Sequence, residues 1–226
     1  MRIQDNSPLD TNTKSPLRID IVSDVMCPWC IIGYRQLATA LEATETDYEL
    51  HWHPFELNPE MPAEGQNMRE HIVEKYGATP EQSEQNRNQM TALGEQLGFE
   101  FRFGPEMRMH NTFDTHQLLQ WAETLGRMDD LKQALFTAHF THQRDLSDRD
   151  VLAEIAGEIG LDKDDAQAVL QDQRFAGAVR EAQQFWRSQG IQGVPAVIFD
   201  QKHLVSGAQG VENFTSILGQ LAKLQD

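Results

Sequence analysis

The chain has 226 residues, 39% of them hydrophobic, and a formal net charge of −16 from 35 acidic and 19 basic side chains. That length and apolar content suit one large domain, or a small domain carrying an insertion, and exclude a largely disordered chain. The acidic balance argues against general binding to nucleic acid or to anionic membrane surfaces.

No stretch reaches the roughly 18–20 apolar residues that a membrane helix needs. The segment Met1 to Pro8 lacks the apolar run of a secretory signal. A cytoplasmic location is therefore the default expectation. The two cysteines, Cys27 and Cys30, sit three apart. A structural disulfide framework usually has more bridges, and so short a loop would constrain the unfolded chain little. Chemistry explains the pair better than stapling does.

Residues 1–16 are polar, contain Pro8 and Pro16, and read as a loose leader. Leu17, Ile19 and Ile21 alternate with Arg18 and Asp20, a strand that Val22 extends. The cysteine motif follows, and Cys30, Tyr34, Leu37 and Leu41 then recur at helical spacing, which puts Pro28 in the first turn. Gly33 weakens that helix by roughly 1 kcal/mol, which packing must offset. Tyr48, Leu50 and Trp52 mark a second strand stopped by Pro54, and 58–62 reads as a loop and boundary.

The middle of the chain is expected to be helical. Thr79-Pro80-Glu81-Gln82 offers an N-cap, a first-turn proline and a capping-box partner, and Gly98 suits the C-terminal end of that helix. Phe99, Phe101 and Phe103 alternate, as in an extended segment or an aromatic lid. Helical patterns follow through Leu118, Leu119, Ala122 and Leu125, then through Met128, Leu131, Leu135 and Ala138. Ser147-Asp148 starts another helix, Gly160 ends it, and Asp162 caps the next. A long helix then carries Ala178, Ala182, Phe185 and Trp186. Beyond it come the strand 196–199, a turn at 200–202, a returning strand, and a last helix with Phe214, Ile217, Leu218 and Leu221. The order is β-α-β, a helical block, then α-β-β-α. Outer parts 17–60 and 176–226 complete one sheet, and 61–175 forms an inserted α-helical domain.

A C-x-x-C pair at a helix start has physical advantages for redox exchange. The helix N-terminus stabilises a thiolate. Cys27, outside the first turn, can be exposed and reads as the nucleophile with a lowered pKa, and Cys30 as the resolving thiol. Half of a zinc site is the plainer alternative, with His51 and His53 or His139 and His142 as further ligands. The helical continuation after Pro28 fits redox better, so no metal is expected.

Ser23-Asp24-Val25-Met26-Cys27-Pro28-Trp29-Cys30 after a first strand, together with Gly193-Val194-Pro195 before an apolar strand and the helical insert, resembles the DsbA-like branch of the thioredoxin superfamily. The likeness runs from about Leu17 onward and is greatest to its cytosolic FrnE-type members. It implies a thioredoxin-like α/β fold with a large α-helical insertion between the β-α-β and β-β-α halves. It also implies that Pro195 follows a cis bond. X–Pro bonds adopt cis at low cost, and the Val194 backbone would then stand free beside Cys27 to pair with an extended substrate. The plainer reading is a trans proline opening a strand.

Pro28, Trp29, Val194 and Pro195 are accordingly the expected substrate contacts. Asp24 is a candidate proton acceptor for Cys30, or a cap, with a solvated loop acid as the alternative. Asn111-Thr112 with His116 resembles a motif shared with glutathione-linked isomerases and kappa-class transferases; by spacing it is a helix start with Asn111 as N-cap. Ser206-Gly207-Ala208-Gln209 resembles the family's loop after the last strand, and both groups are candidate site-lining residues. The implied activity is a disulfide reductase or isomerase acting on protein or small-molecule disulfides, with no cofactor beyond the dithiol and with glutathione as a candidate co-substrate. A glutathione-dependent isomerase or transferase is the alternative, and a zinc-binding or holdase module ranks lower.

Overall fold

The computed structural model describes residues 15–224, so most of the expected leader lies outside the described residues. Strand β1 (Leu17–Ser23) runs into a turn, then into helix α1 (Pro28–Ala43), and β2 (Tyr48–Pro54) returns parallel to β1 in the register Leu17↔Tyr48 to Ser23↔Pro54. A short strand β3 (Gln66–Asn67) opens the middle of the chain. It is followed by α2 (Met68–Tyr76), α3 (Pro80–Gln96), β4 (Arg108–Met109), α4 (Phe113–Thr124), α5 (Met128–Phe140), α6 (Arg149–Glu158) and α7 (Lys163–Asp172). Helix α8 (Ala176–Ser188), strands β5 (Ala196–Phe199) and β6 (His203–Ser206), and helix α9 (Val211–Leu224) close the chain. The sheet order is β2-β1-β5-β6, with β5 antiparallel to β1 and β6 antiparallel to β5. This is the thioredoxin-like α/β arrangement, with helices α2–α7 between its two halves.

Local chemistry sets most boundaries. Pro28 occupies the first turn of α1, where its missing N–H costs nothing. Thr79 and Gln82 form a reciprocal capping box at α3. Asp148 and Asp162 accept main-chain N–H groups at the starts of α6 and α7. Gly160 takes φ +85° just past the end of α6, a left-handed conformation that suits glycine.

Strand β1 is central in the sheet, and its polar positions are not all in solvent. Asp20 is fully buried, bonded by Arg18 Nε and Nη2 at 2.9 and 2.7 Å and by His53 Nε2 at 2.7 Å. Phe99 and Phe101 belong to no strand. They are buried, and Phe101 stacks on Phe103 at 5.2 Å and meets Phe140 edge-on at 5.3 Å. The N-cap of α4 is Thr112, one residue later than expected, while Asn111 Oδ1 accepts the Phe113 N–H at 2.9 Å.

The cores explain where the site sits. One cluster fills the space between the sheet and the helices α1 and α9, through Ile19, Leu37, Trp52, Phe199, Phe214 and Leu218. The larger cluster joins Met26, Cys27, Cys30 and Ile31 to Met68, Phe101, Leu118 and Leu135 of the helical block. The first turn of α1 is therefore packed against the block, and the two cysteines lie at that seam.

Candidate active site

Cys27 is the N-cap of α1, with extended backbone (φ −95°, ψ 108°), and its carbonyl accepts the Cys30 N–H at 3.0 Å. Both cysteines are free thiols. Cys27 keeps 4% of its surface exposed and Cys30 none. The Val194–Pro195 peptide is cis, and Val194 O lies 3.6 Å from Cys27 Sγ. Gly33 permits this approach: a Cβ there would meet Pro195 Cγ at 3.3 Å and Ala208 Cα at 3.4 Å. The packing that offsets the weak helix residue is thus contact between α1 and the proline loop.

Behind the cysteines is a buried polar layer. Asp24 Oδ1 accepts the Met26 N–H at 3.1 Å and its Oδ2 the Leu57 N–H at 2.7 Å. Burial raises the Asp24 pKa, against the opposing pull of those two N–H groups, Lys132 and the Thr112 hydroxyl. Lys132, on α5, is only 1% exposed and stands 5.3 Å from the rings of both Trp52 and Phe136. Burial lowers its pKa from 10.5 to about 8, although Cys30, Asp24, Cys27 and Asp129 all favour the charged ammonium. His116 is fully buried, and burial, helped by Lys132, drops its pKa to about 3. It is neutral, and its Nε2 lies 2.9 Å from Phe55 O.

The expectation of a lowered pKa at Cys27 needs correction. In the reduced pair the Cys27 thiol is shared with Cys30, and this contact, with burial, pushes Cys27 well up. Cys30 goes down despite burial, because Cys27, the main chain at Asp24, the Ser23 hydroxyl and Lys132 stabilise its thiolate. The position of Cys27 Sγ beside the Val194 carbonyl agrees, since a carbonyl oxygen accepts an S–H and repels a thiolate. The two thiols are coupled, so the first proton lost belongs to the pair and the thiolate it leaves is shared between the sulfurs.

In front of Cys27 opens a pocket of about 330 Å³. Cys27, Pro28, Trp29 and Val194 form one side of it, and apolar side chains of the helical block form the other. The remaining candidates are placed elsewhere. Asp24, Thr112 and His116 are buried beneath the pair and do not line the pocket. Asn111 donates to Pro59 O at 3.1 Å. Ser206 and Gly207 border a separate groove on the far side of Pro195, whose carbonyl accepts the Gly207 N–H at 2.8 Å. His53 is committed to Asp20, and among the described residues no group of three or more His, Cys, Asp or Glu is arranged to hold a metal.

The sequence pattern did not mark Lys132, Glu56, Met68, Met90 or Met109 as site residues. Lys132 had a readable signal: it follows Met128 by four residues and precedes Phe136 by four, so it falls on the apolar stripe of α5. Glu56 had none. Burial raises its pKa, and Gln183 Nε2 donates to it at 3.1 Å across a separation of 127 residues.

A dithiol at the start of the first helix of a thioredoxin-like sheet, facing a proline loop, defines a thiol–disulfide exchange protein. The chain belongs to the DSBA-like thioredoxin domain family, which it matches over residues 18–219, and it is by that membership a thiol–disulfide oxidoreductase. It is 32% identical to a probable DsbA oxidoreductase, SCO1869 from Streptomyces coelicolor, with a TM-score of 0.85 over 90% of this chain and 89% of that one. It is 23% identical to the uncharacterised protein YwbO of Bacillus subtilis (strain 168) over 92% of this chain and 98% of YwbO. The cytosolic disulfide reductase DsbM from Pseudomonas aeruginosa shares the fold at 16% identity, with a TM-score of 0.65 over 92% of this chain and 99% of that one.

Proposed function

We propose that the protein is a cytoplasmic disulfide reductase or isomerase of the FrnE type, with Cys27 as nucleophile and Cys30 as resolving thiol. One observation carries the division of labour: Cys27 is the sulfur at the pocket, and Cys30 is sealed behind it against Asp24, Ser23 and Lys132. Loss of one proton leaves a thiolate shared by the pair, and transfer of the remaining proton to Cys30 places the charge on Cys27. Cys27 then attacks one sulfur of a substrate disulfide, forming a mixed disulfide and releasing the other sulfur as a thiolate. Ionised Asp24, whose carboxylate burial makes more basic, takes the Cys30 proton. Cys30 attacks the Cys27 sulfur, the second substrate thiolate leaves, and two electrons have passed from protein to substrate. Pro28, Trp29, Val194 and Pro195 would face the substrate, and the dithiol requires no metal or bound cofactor. Glutathione suits the role of the thiol that regenerates the pair.

The reading as a glutathione-dependent isomerase or transferase draws less support. Thr112 and His116 have protein partners at Asp24 and Phe55, and Asn111 is engaged with Pro59 and Phe113. The deciding experiment is a glutathione redox titration read by thiol trapping, with Cys27→Ser as control. A reversible two-electron transition in the native chain, absent from the control, is expected. Failure to form a Cys27–Cys30 disulfide at any poise refutes the proposal.

A further inference from the structure

The pocket beside Cys27 carries one full charge, and that charge has no counterpart. Arg87, from α3, lines it, and among the described residues no carboxylate does. His71 lines it too, but burial and Lys75 lower its pKa, so the ring is neutral. Glu70, Glu74, Glu81 and Glu84 line a neighbouring cleft between α2 and α3 that Arg87 also borders, yet none of the four pairs with it. Elsewhere Arg18, Arg102, Arg127, Arg144, Arg149 and Arg174 each hold a carboxylate. That is the expected state in a chain with 35 acidic and 19 basic side chains. Arg87 holds only the Ser83 hydroxyl, to which its Nη1 donates at 2.7 Å. Ser83 is 5% exposed, so this bond ties the guanidinium to the pocket wall and leaves Nε and Nη2 free to donate. The amide of Asn86, one residue earlier, also lines the pocket and has no partner among the described residues. Burial and Arg69 weigh against the Arg87 charge, and Glu84 favours it.

We propose that Arg87 and Asn86 form a carboxylate subsite, so that the protein prefers disulfides bearing an acid a few bonds from the sulfur. The inference rests on the thiol–disulfide reading above and names a chemical feature of its substrate. A carboxylate accepts two parallel N–H bonds from a guanidinium, in a geometry that no neutral group matches. The short carbon chain between acid and sulfur then lies against Ile72 and Met90. The overall charge of −16 opposes any anion, so a preference for an acid has to come from a local group. The acid takes no part in the exchange. Cys27 bonds to one substrate sulfur and the other leaves as a thiolate. Cys30 then closes the disulfide, and two substrate thiols result. The carboxylate can sit on a small molecule or on an acidic side chain beside a cysteine, and the chemistry at Arg87 is the same.

The test uses the full-length reduced protein in single turnover against dithiodipropionate and its diamide. Each rate is divided by that of dithiothreitol with the same disulfide, which removes intrinsic reactivity. Disulfide-linked peptides with Glu or Gln beside the cysteine form a second acid–amide pair. At low salt the acid is expected to react roughly tenfold faster than the amide, through a lower half-saturating concentration, in one pair or both. The pair that shows the preference identifies the source as small molecule or polypeptide. Arg87→Gln should abolish it. Arg87→Lys should keep part of it as a point charge, which separates loss of charge from a folding defect. Arg69→Gln removes the same charge from outside the pocket and should leave the preference intact. Equal normalised rates for acid and amide in both pairs overturn the subsite. So does a preference that survives Arg87→Gln, or one that Arg69→Gln removes equally. If the amides oxidise the Cys27–Cys30 pair and the acids hold no advantage, the subsite alone fails. If no disulfide oxidises the pair, the oxidoreductase reading fails and the subsite with it.

Discussion

Replacement of Lys132 by methionine tests whether the buried ammonium is tolerated at a cost in stability. Methionine keeps a linear, apolar side chain of similar length in the space between Trp52 and Phe136. Burial brings the lysine from an ordinary 10.5 to about 8 even with four favourable charges around it. At about 1.4 kcal/mol per pH unit, holding the ammonium charged in the fold costs about 3 kcal/mol below pH 8. The sign follows from proton counting. Between about pH 8 and 10.5 the unfolded chain binds the lysine proton and the folded chain does not, so this contribution to stability rises with pH. Lys132→Met lacks it. Asp24, already pushed toward neutral by burial, can take up a proton when its cationic neighbour is lost, which limits the penalty of leaving a lone buried charge. The expected result is a variant at least as stable as the native chain at pH 7. The difference, native minus variant, should shift in favour of the native chain by up to about 3 kcal/mol as pH climbs to 10.5. Denaturant unfolding across that range measures it, repeated in a Cys27→Ser/Cys30→Ser background to remove thiol titration. A difference that does not change with pH, or one that moves the other way, refutes the assignment of a charged, desolvated Lys132.

Three further outcomes follow from the same layer of residues. Asp24→Asn turns one of the two oxygens that accept main-chain N–H groups into an NH2 donor and removes a counter-charge of the buried Lys132, so it should lower thermal stability at neutral pH. It should also slow the Cys30 attack by roughly a hundredfold or more, seen as a mixed disulfide that persists in quenched-flow trapping. Gly33→Ala gains helix propensity of about 1 kcal/mol but sets a methyl group against Pro195 and Ala208. Its stability should therefore be unchanged or lower, and its exchange rate lower, as stopped-flow tryptophan fluorescence would report. The Asp20 carboxyl is held well below the usual range by His53 and Arg18 in spite of its burial. It stabilises the fold above the unfolded carboxylate pKa and loses that effect as pH falls below about 4. Asp20→Asn should flatten the acid limb of the stability curve, measured by urea unfolding from pH 6 to pH 3.

The reactive pair was legible in the sequence because its chemistry is local. Two cysteines three apart with Pro28 between them fix a helix start, and the spacing alone brings the sulfurs together. The caps at Thr79, Asp148 and Asp162 were legible for the same reason, since each side chain bonds an N–H two or three residues away. Proton placement within the pair was not. It depends on Lys132, about 100 residues further along the chain, and on a carbonyl at Val194, both brought to the sulfurs by packing. Asn111, Thr112 and His116 could be marked as a motif, but not as buried support, because burial is decided by what covers them. The pocket is the extreme case. Met26, Met68, Met90 and Met109 have no shared periodicity and lie on different elements, so they become one surface only when the helical block closes on the first turn of α1. By itself the sequence determined the fold class, the dithiol and those helix starts whose caps are local, through short-range hydrogen bonding and hydrophobic period. The tertiary structure decided which sulfur faces substrate, which charges act on it and what shape of substrate it can meet, because those properties arise from long-range packing and desolvation.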